Sequence, residues 1–188
     1  MAIEIISEHL NGIKVIKPKV FTDERGFFME SFRADEFIKH GLPTNFVQDN
    51  HSRSARNVLR GMHFQWSPPQ SKLIRVTIGS AYVVEIDVRL GSPTFGKWFA
   101  IELSAENKLQ LWVPFGFANG FCGLSQWIEM QYKCTGIWNR ACESNIRWSD
   151  PDVGIRWPVD NPILSDKDRT AQTLAQWISR EESKLITY

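Results

Sequence analysis

The residues best suited to chemistry fall in one dense polar stretch: Phe46-Val47-Gln48-Asp49-Asn50-His51-Ser52, then Val58-Leu59-Arg60-Gly61-Met62-His63-Phe64-Gln65. Arg60 and His63 are embedded among apolar neighbours. A guanidinium in that setting is costly unless an anion meets it, and an imidazole there could serve as a general base. A salt-bridged arginine and a backbone-bonded core histidine fit equally well, and the residues alone favour neither reading. Tyr132 shares its alternation face with Ile128 and Met130. It is either an amphipathic core tyrosine, the plainer reading when it is taken alone, or a proton donor. Lys72 shares a face with Ile74 and Val76, so it needs an acceptor, either a substrate oxygen or solvent at a strand end.

Other chemistries find little support. The four histidines, His9, His40, His51 and His63, include no H-x-H pair, so no metal centre is expected. The phosphate-binding and dinucleotide glycine motifs and the G-x-S-x-G elbow are absent from the sequence. Cys122, Cys134 and Cys142 are odd in number and lack C-x-x-C spacing. They read as structural thiols of a reducing, cytoplasmic compartment.

The elements that must position these residues are mostly strands. Tyr82, Val84, Ile86 and Val88 alternate with Glu85, Asp87 and Arg89. Ile74, Val76 and Ile78 repeat the period, as do Ile128, Met130, Tyr132 and Cys134. Turn clusters such as Asp23-Glu24-Arg25-Gly26, Gly91-Ser92-Pro93-Thr94 and Ser149-Asp150-Pro151-Asp152 separate the runs. The expectation is an all-β sandwich or jelly roll, with a short helix within 32–40 and an amphipathic C-terminal helix over about 168–186 carrying Leu174, Trp177, Ile178 and Leu185. Arg60 and His63 have opposite parity in a regular strand. A bulge or strand end at Gly61 would let both face one cleft.

A length of 188 residues with 43% hydrophobic and 23% charged residues suits one domain with a real core. Lys+Arg 22 against Asp+Glu 21 leaves a net charge of +1, which argues against general nucleic-acid binding but leaves room for a single nucleotide. No apolar run approaches a membrane span, and MAIEIISEHL lacks the basic and apolar pattern of a signal peptide.

Ordered motifs then narrow the reading. They include Asp23-x-Arg25-Gly26-x-Phe28-x-Glu30, Val58-Leu59-Arg60-Gly61-x-His63, Gln70-x-Lys72-Leu73-x-Arg75-Val76, Tyr132-Lys133-x-Thr135 and Leu164-Ser165-x-Lys167-Asp168. Together with Ser92-Pro93-Thr94-Phe95-Gly96 and Gln110-Leu111-Trp112-x-Pro114-x-Gly116-Phe117-Ala118, they resemble the dTDP-4-dehydrorhamnose 3,5-epimerase family from about residue 13 to about residue 170. The resemblance implies a cupin-type jelly roll, a homodimer with exchanged N-terminal strands, and cofactor-free epimerisation of a nucleotide-linked 4-keto-6-deoxy sugar. By the same resemblance His63 is the proton acceptor, Asp168 the carboxylate that holds it, Tyr132 the proton donor and Lys72 the residue facing the keto oxygen. Arg25, Glu30, Gln48, Asn50, Arg60, Glu143 and Lys167 match substrate-binding positions. Two further site positions depart from the pattern: Asn119 stands where the family usually has His, and Trp138 where it often has a second Tyr. Asn119 can hydrogen-bond but not relay a proton, and Trp138 can stack but has no hydroxyl. They leave open whether one or two carbons are inverted. The alternatives are a single-centre epimerase on a related sugar, for example a CDP-linked one, or an inactive sugar-nucleotide binder.

Overall fold

The alternating runs become thirteen strands among the described residues, which are 3–188 of a computed structural model. In chain order they are β1 (Ile3–His9), β2 (Ile13–Pro18), β3 (Val20–Asp23), β4 (Gly26–Met29), β5 (Gln48–Ala55), β6 (Leu59–Gln65) and β7 (Lys72–Ile78). There follow β8 (Ser80–Asp87), β9 (Trp98–Ser104), β10 (Gln110–Val113), β11 (Phe117–Gly123), β12 (Trp127–Cys134) and β13 (Glu143–Asn145). One sheet has the order β1-β2-β10-β7-β12-β5 and the other β13-β6-β11-β8-β9. The eight strands from β5 to β12 are shared between the two sheets as in a jelly roll. No helix among the described residues is long and apolar enough to cross a membrane.

Inward-facing side chains of both sheets make the main core, with Val15, Ile74, Val76, Val83, Leu111, Ile128 and Met130 among its buried members. The outer face of the five-stranded sheet is also covered. Met62, Phe64, Val84, Ile86 and Val88 pack there against Leu174, Trp177 and Ile186 of the C-terminal segment. This explains the alternation from Tyr82. Its apolar face meets the C-terminal layer, and its polar face points between the sheets, with Glu85 and Asp87 at 0% exposure. A third cluster seats Phe37 of α1 (Ala34–Lys39) over Ile16, Leu73 and Trp112.

The single C-terminal helix expected over 168–186 is corrected. The segment divides into α2 (Asp166–Arg169), α3 (Leu174–Ile178) and a 3-10 turn over Glu181–Leu185. Ser165 caps α2, and Thr173 and Gln176 form a reciprocal cap on α3, so each helix has its own start signal. A bridge between Ile146 and Gln172 holds the chain extended between them. Leu174 and Trp177 are buried, whereas Ile178 and Leu185 are exposed.

Candidate active site

The local device at the centre of the site is a bulge in β6. Asn119 of β11 pairs with His63, but Phe121 pairs with Arg60, so two residues of β6, Gly61 and Met62, stand against the single Gly120 of β11. Gly61 sits at φ +152, and a Cβ there would lie 2.5 Å from the Gly120 Cα. Only a glycine permits that close approach. The extra residue puts Arg60 and His63 on the same side despite their parity. Arg60 Nε donates to Ser54 Oγ on the opposing sheet at 3.0 Å, and His63 lines the cleft between the sheets.

His63 Nε2 lies 2.5 Å from Asp168 Oδ1. With the proton on Nε2, Nδ1 keeps a free lone pair. Asp168 is 2% exposed. Its Oδ2 accepts from Ser165 Oγ at 2.8 Å, and Asn145 Nδ2 donates to the Lys167 carbonyl at 3.0 Å, which ties α2 to β13. Burial pushes the Asp168 carboxyl up, but hydrogen bonds from His63 and Ser165 and the charges of His63 and Lys167 outweigh it. They hold the carboxyl below its ordinary range.

The cleft has a volume of about 460 Å³ and is lined by Gln48, Asn50, His63, Gln70, Lys72, Tyr132, Ile137, Trp138 and Glu143. The Lys72 Nζ lies 5.9 Å from the Tyr132 ring centroid. Burial pushes the Tyr132 phenol up, so it keeps its proton, while the charge of Arg60 pulls the other way. Burial lowers the Lys72 amine, opposed most strongly by the charge of Glu85. Lys167 pairs with Glu143 at 2.5 Å on the rim. Trp138 is held in the wall by its backbone N–H, which donates to Gln48 Oε1 at 2.8 Å. Buried Gln65 anchors the adjoining loop by donating to the Ile137 carbonyl and accepting from the Asn139 N–H. Among the described residues, no three His, Cys, Asp or Glu side chains gather as a metal-binding group.

The structure thus gathers His63, Asp168, Lys72, Tyr132, Gln48, Asn50, Trp138, Glu143 and Lys167 around one cleft, with Arg60 near Tyr132 and Asn119 beside His63. Arg25 and Glu30 do not join them. Arg25 is exposed on the β3–β4 turn, bonded to Asp23, and Glu30 faces Arg33 at 3.7 Å. The reason is topological, because β3 and β4 pair only with each other. The residue that sequence reasoning missed is Glu85, beside Asn119 on β8. Its only signal was a carboxylate in the middle of a strongly apolar strand.

An imidazole–carboxylate dyad facing a lysine and a tyrosine can remove a proton beside a carbonyl, shelter the resulting oxyanion and return a proton from another side. The comparisons agree with that chemistry. The family described as dTDP-4-dehydrorhamnose 3,5-epimerase matches residues 7–176. A dTDP-4-dehydrorhamnose 3,5-epimerase of Shigella flexneri is 50% identical over 170 residues, 89% of this chain and 94% of that protein. One of Neisseria gonorrhoeae is 48% identical over 97% of this chain, which spans only 55% of that longer protein. The crystal structure of a dTDP-6-deoxy-D-glucose-3,5-epimerase of Legionella pneumophila in complex with dTDP-4-keto-L-rhamnose has a TM-score of 0.91 and 43% identity, covering 98% of this chain and 97% of that one. With fold, motifs and cleft in agreement along most of its length, this chain belongs to the dTDP-4-dehydrorhamnose 3,5-epimerase family of isomerases.

Proposed function

We propose that the chain inverts C3 and C5 of a dTDP-linked 4-keto-6-deoxyhexose through an enolate, with no cofactor. The observation that carries this reading is the His63–Asp168 dyad, which opens onto the same cleft as Lys72 and Tyr132. His63 Nδ1 takes the proton from the carbon next to the ketone. The C–H electron pair moves into the ring and the C4 oxygen becomes the oxyanion. The Lys72 ammonium meets that oxygen, and Asp168 stabilises the imidazolium that forms. Tyr132 then protonates the carbon from the opposite face. Proton exchange with water returns imidazolium and tyrosinate to their starting states. Arg60, Lys167 and Glu143 at the rim, with Gln48, Asn50 and Trp138 along the wall, hold the nucleotide, diphosphate and sugar, and that remote binding places the ring.

A homodimer with exchanged N-terminal strands belongs to the same proposal. Its support is the β3–β4 hairpin, which exposes Phe21, Phe27 and Phe28 and carries Arg25 away from its own cleft. Docked on a second copy, the hairpin would bury those rings and deliver Arg25 and Glu30 to the neighbouring site. A cytoplasmic location completes the proposal, supported by three unpaired cysteines.

The test is solvent exchange. The protein is incubated with dTDP-4-keto-6-deoxyglucose in D₂O and the sugar is read by NMR. Deuterium at both C3 and C5 is expected. Label at one carbon favours a single-centre epimerase, the second reading that Asn119 and Trp138 support. Binding without label would overturn both in favour of an inert binder.

A further inference from the structure

Ile137 and Trp138 stand 55% and 51% exposed on the wall of a cleft whose other lining side chains are polar or ionisable. That exposure does not come from a loose loop, because two glutamines, one from each sheet, hold its backbone. Gln65 of β6 is 3% exposed. Its Nε2 donates to the Ile137 carbonyl at 3.0 Å and to the Pro68 carbonyl at 2.9 Å, and its Oε1 accepts from the Asn139 N–H at 2.7 Å. Gln48 of β5 takes the group in between, accepting from the Trp138 N–H at 2.8 Å. Three consecutive residues therefore each have a backbone group fixed by a side chain. The loop is tied just before them as well, where Gln70 Nε2 donates to the Gly136 carbonyl at 2.8 Å. Both donor hydrogens of the Gln65 amide and its oxygen are committed to backbone, so a buried polar group is fully satisfied.

We propose that Gln65 is a positioning residue for substrate binding that acts through Trp138: its buried amide clamps the peptide groups on both sides of that residue, so that the indole stands ready in the cleft wall as a rigid apolar platform for the bound substrate. This rests on the reading of the cleft as the site of the dTDP-linked sugar. Two physical points support it. An indole turns about only two side-chain bonds, so with its backbone fixed it has little freedom left to lose when a ligand packs on it. Its half-exposed face also gains burial once a flat or apolar part of the substrate covers it. Without the clamp the loop's carbonyl and N–H groups turn to water, and the indole leaves its place on the wall. The loss falls on binding rather than on proton transfer, because the hydrogen bonds of the Gln65 side chain go to backbone and reach none of His63, Asp168, Lys72 or Tyr132.

The experiment is a double-mutant cycle on Gln65 and Trp138, read as KM and kcat of the full chain, with circular dichroism to confirm folding. Q65M keeps the side-chain length and removes all three hydrogen bonds. Q65M and W138A are each expected to raise KM about tenfold with kcat changed less than about twofold. In the W138A background, Q65M is expected to move KM by less than about twofold, because the platform it places is gone. Equal KM factors in both backgrounds, or a lowered melting temperature with KM unmoved, would show that Gln65 serves the fold alone and would overturn the proposal. A W138A variant with wild-type KM overturns it too. Should Q65M not fold, Q65E takes its place in the cycle, since it keeps the acceptor for the Asn139 N–H and loses both donors; if neither folds, Gln65 is structural and the proposal falls. An active wild type with an additive cycle removes only the clamp, whereas a wild type that neither binds dTDP nor exchanges deuterium removes the functional reading and the clamp with it.

Discussion

The space between the two sheets has two ends built from the same strands. At one end β7 supplies Ile74 and Val76, β12 supplies Ile128 and Met130, and β8 supplies Ala81 and Val83, all buried in one apolar cluster. At the other end each strand supplies one ionisable group on the same face: Lys72 from β7, Tyr132 from β12 and Glu85 from β8. The apolar end is filled by its own side chains, and the polar end is left as a cleft. Close packing at one end lets the other hold ionisable groups in fixed positions without filling the space between them. Stability and chemistry are therefore expected to separate by position along a strand.

The largest expected effect tests that separation directly. His63→Ala is expected to cut deuterium uptake by roughly 10⁴-fold while leaving the circular dichroism spectrum intact. Met130→Ala, at a site 1% exposed, is expected to cost about 2–5 kcal/mol of stability and to leave turnover near wild type below the melting transition. If both variants lost stability and turnover together, the two ends would not be independent. Next in size, Tyr132→Phe is expected to slow net inversion by about 10³-fold and to slow proton loss less. Equal slowing of both would count against the donor role.

Asp168 belongs to both ends of the comparison, because it serves the base and contributes to folding. Its folded carboxyl titrates below the ordinary range, so its contribution is present above the unfolded value of about 3.9 and is lost as pH falls through the lower folded value. Asp168→Asn is expected to flatten the acid side of the melting-temperature profile. It should also slow exchange by about 10²-fold, since His63 loses the carboxylate that fixes its tautomer. An unchanged acid limb in the melting profile would remove Asp168 from the stability side.

Much of this arrangement could be read from residue order. Period-2 alternation named the faces carrying Lys72 and Tyr132, and the opposed parity of Arg60 and His63 pointed to the Gly61 bulge that β6 contains. The partnership of His63 and Asp168, which lie 105 positions apart, came only from motif resemblance, because no local pattern encodes a contact at that separation. Glu85 escaped notice because alternation assigns a face, not which end of the face is packed and which is open. The C-terminal helix was overextended because Leu174, Trp177, Ile178 and Leu185 fit a helical spacing, while the caps at Ser165 and Thr173 restart the chain twice. The placement of Arg25 was not legible at all, since a hairpin paired only with itself gives no local sign of where it docks.

The smallest expected effect concerns that hairpin. The Arg25 side chain is 84% exposed and its ion pair is with Asp23 on the same turn, an exposed contact worth little to the fold. Arg25→Ala should therefore leave melting unchanged. If a second copy's hairpin completes each cleft, the substitution raises KM about tenfold and leaves kcat nearly intact, because it removes a grip on the diphosphate rather than a proton carrier. Mixed dimers of R25A and H63A chains then decide where Arg25 acts. With exchanged hairpins, the body carrying His63 receives an intact Arg25 from the other chain, and its KM returns to the wild-type value. Without exchange, the only body with His63 keeps its own altered hairpin, and the raised KM persists at every mixing ratio.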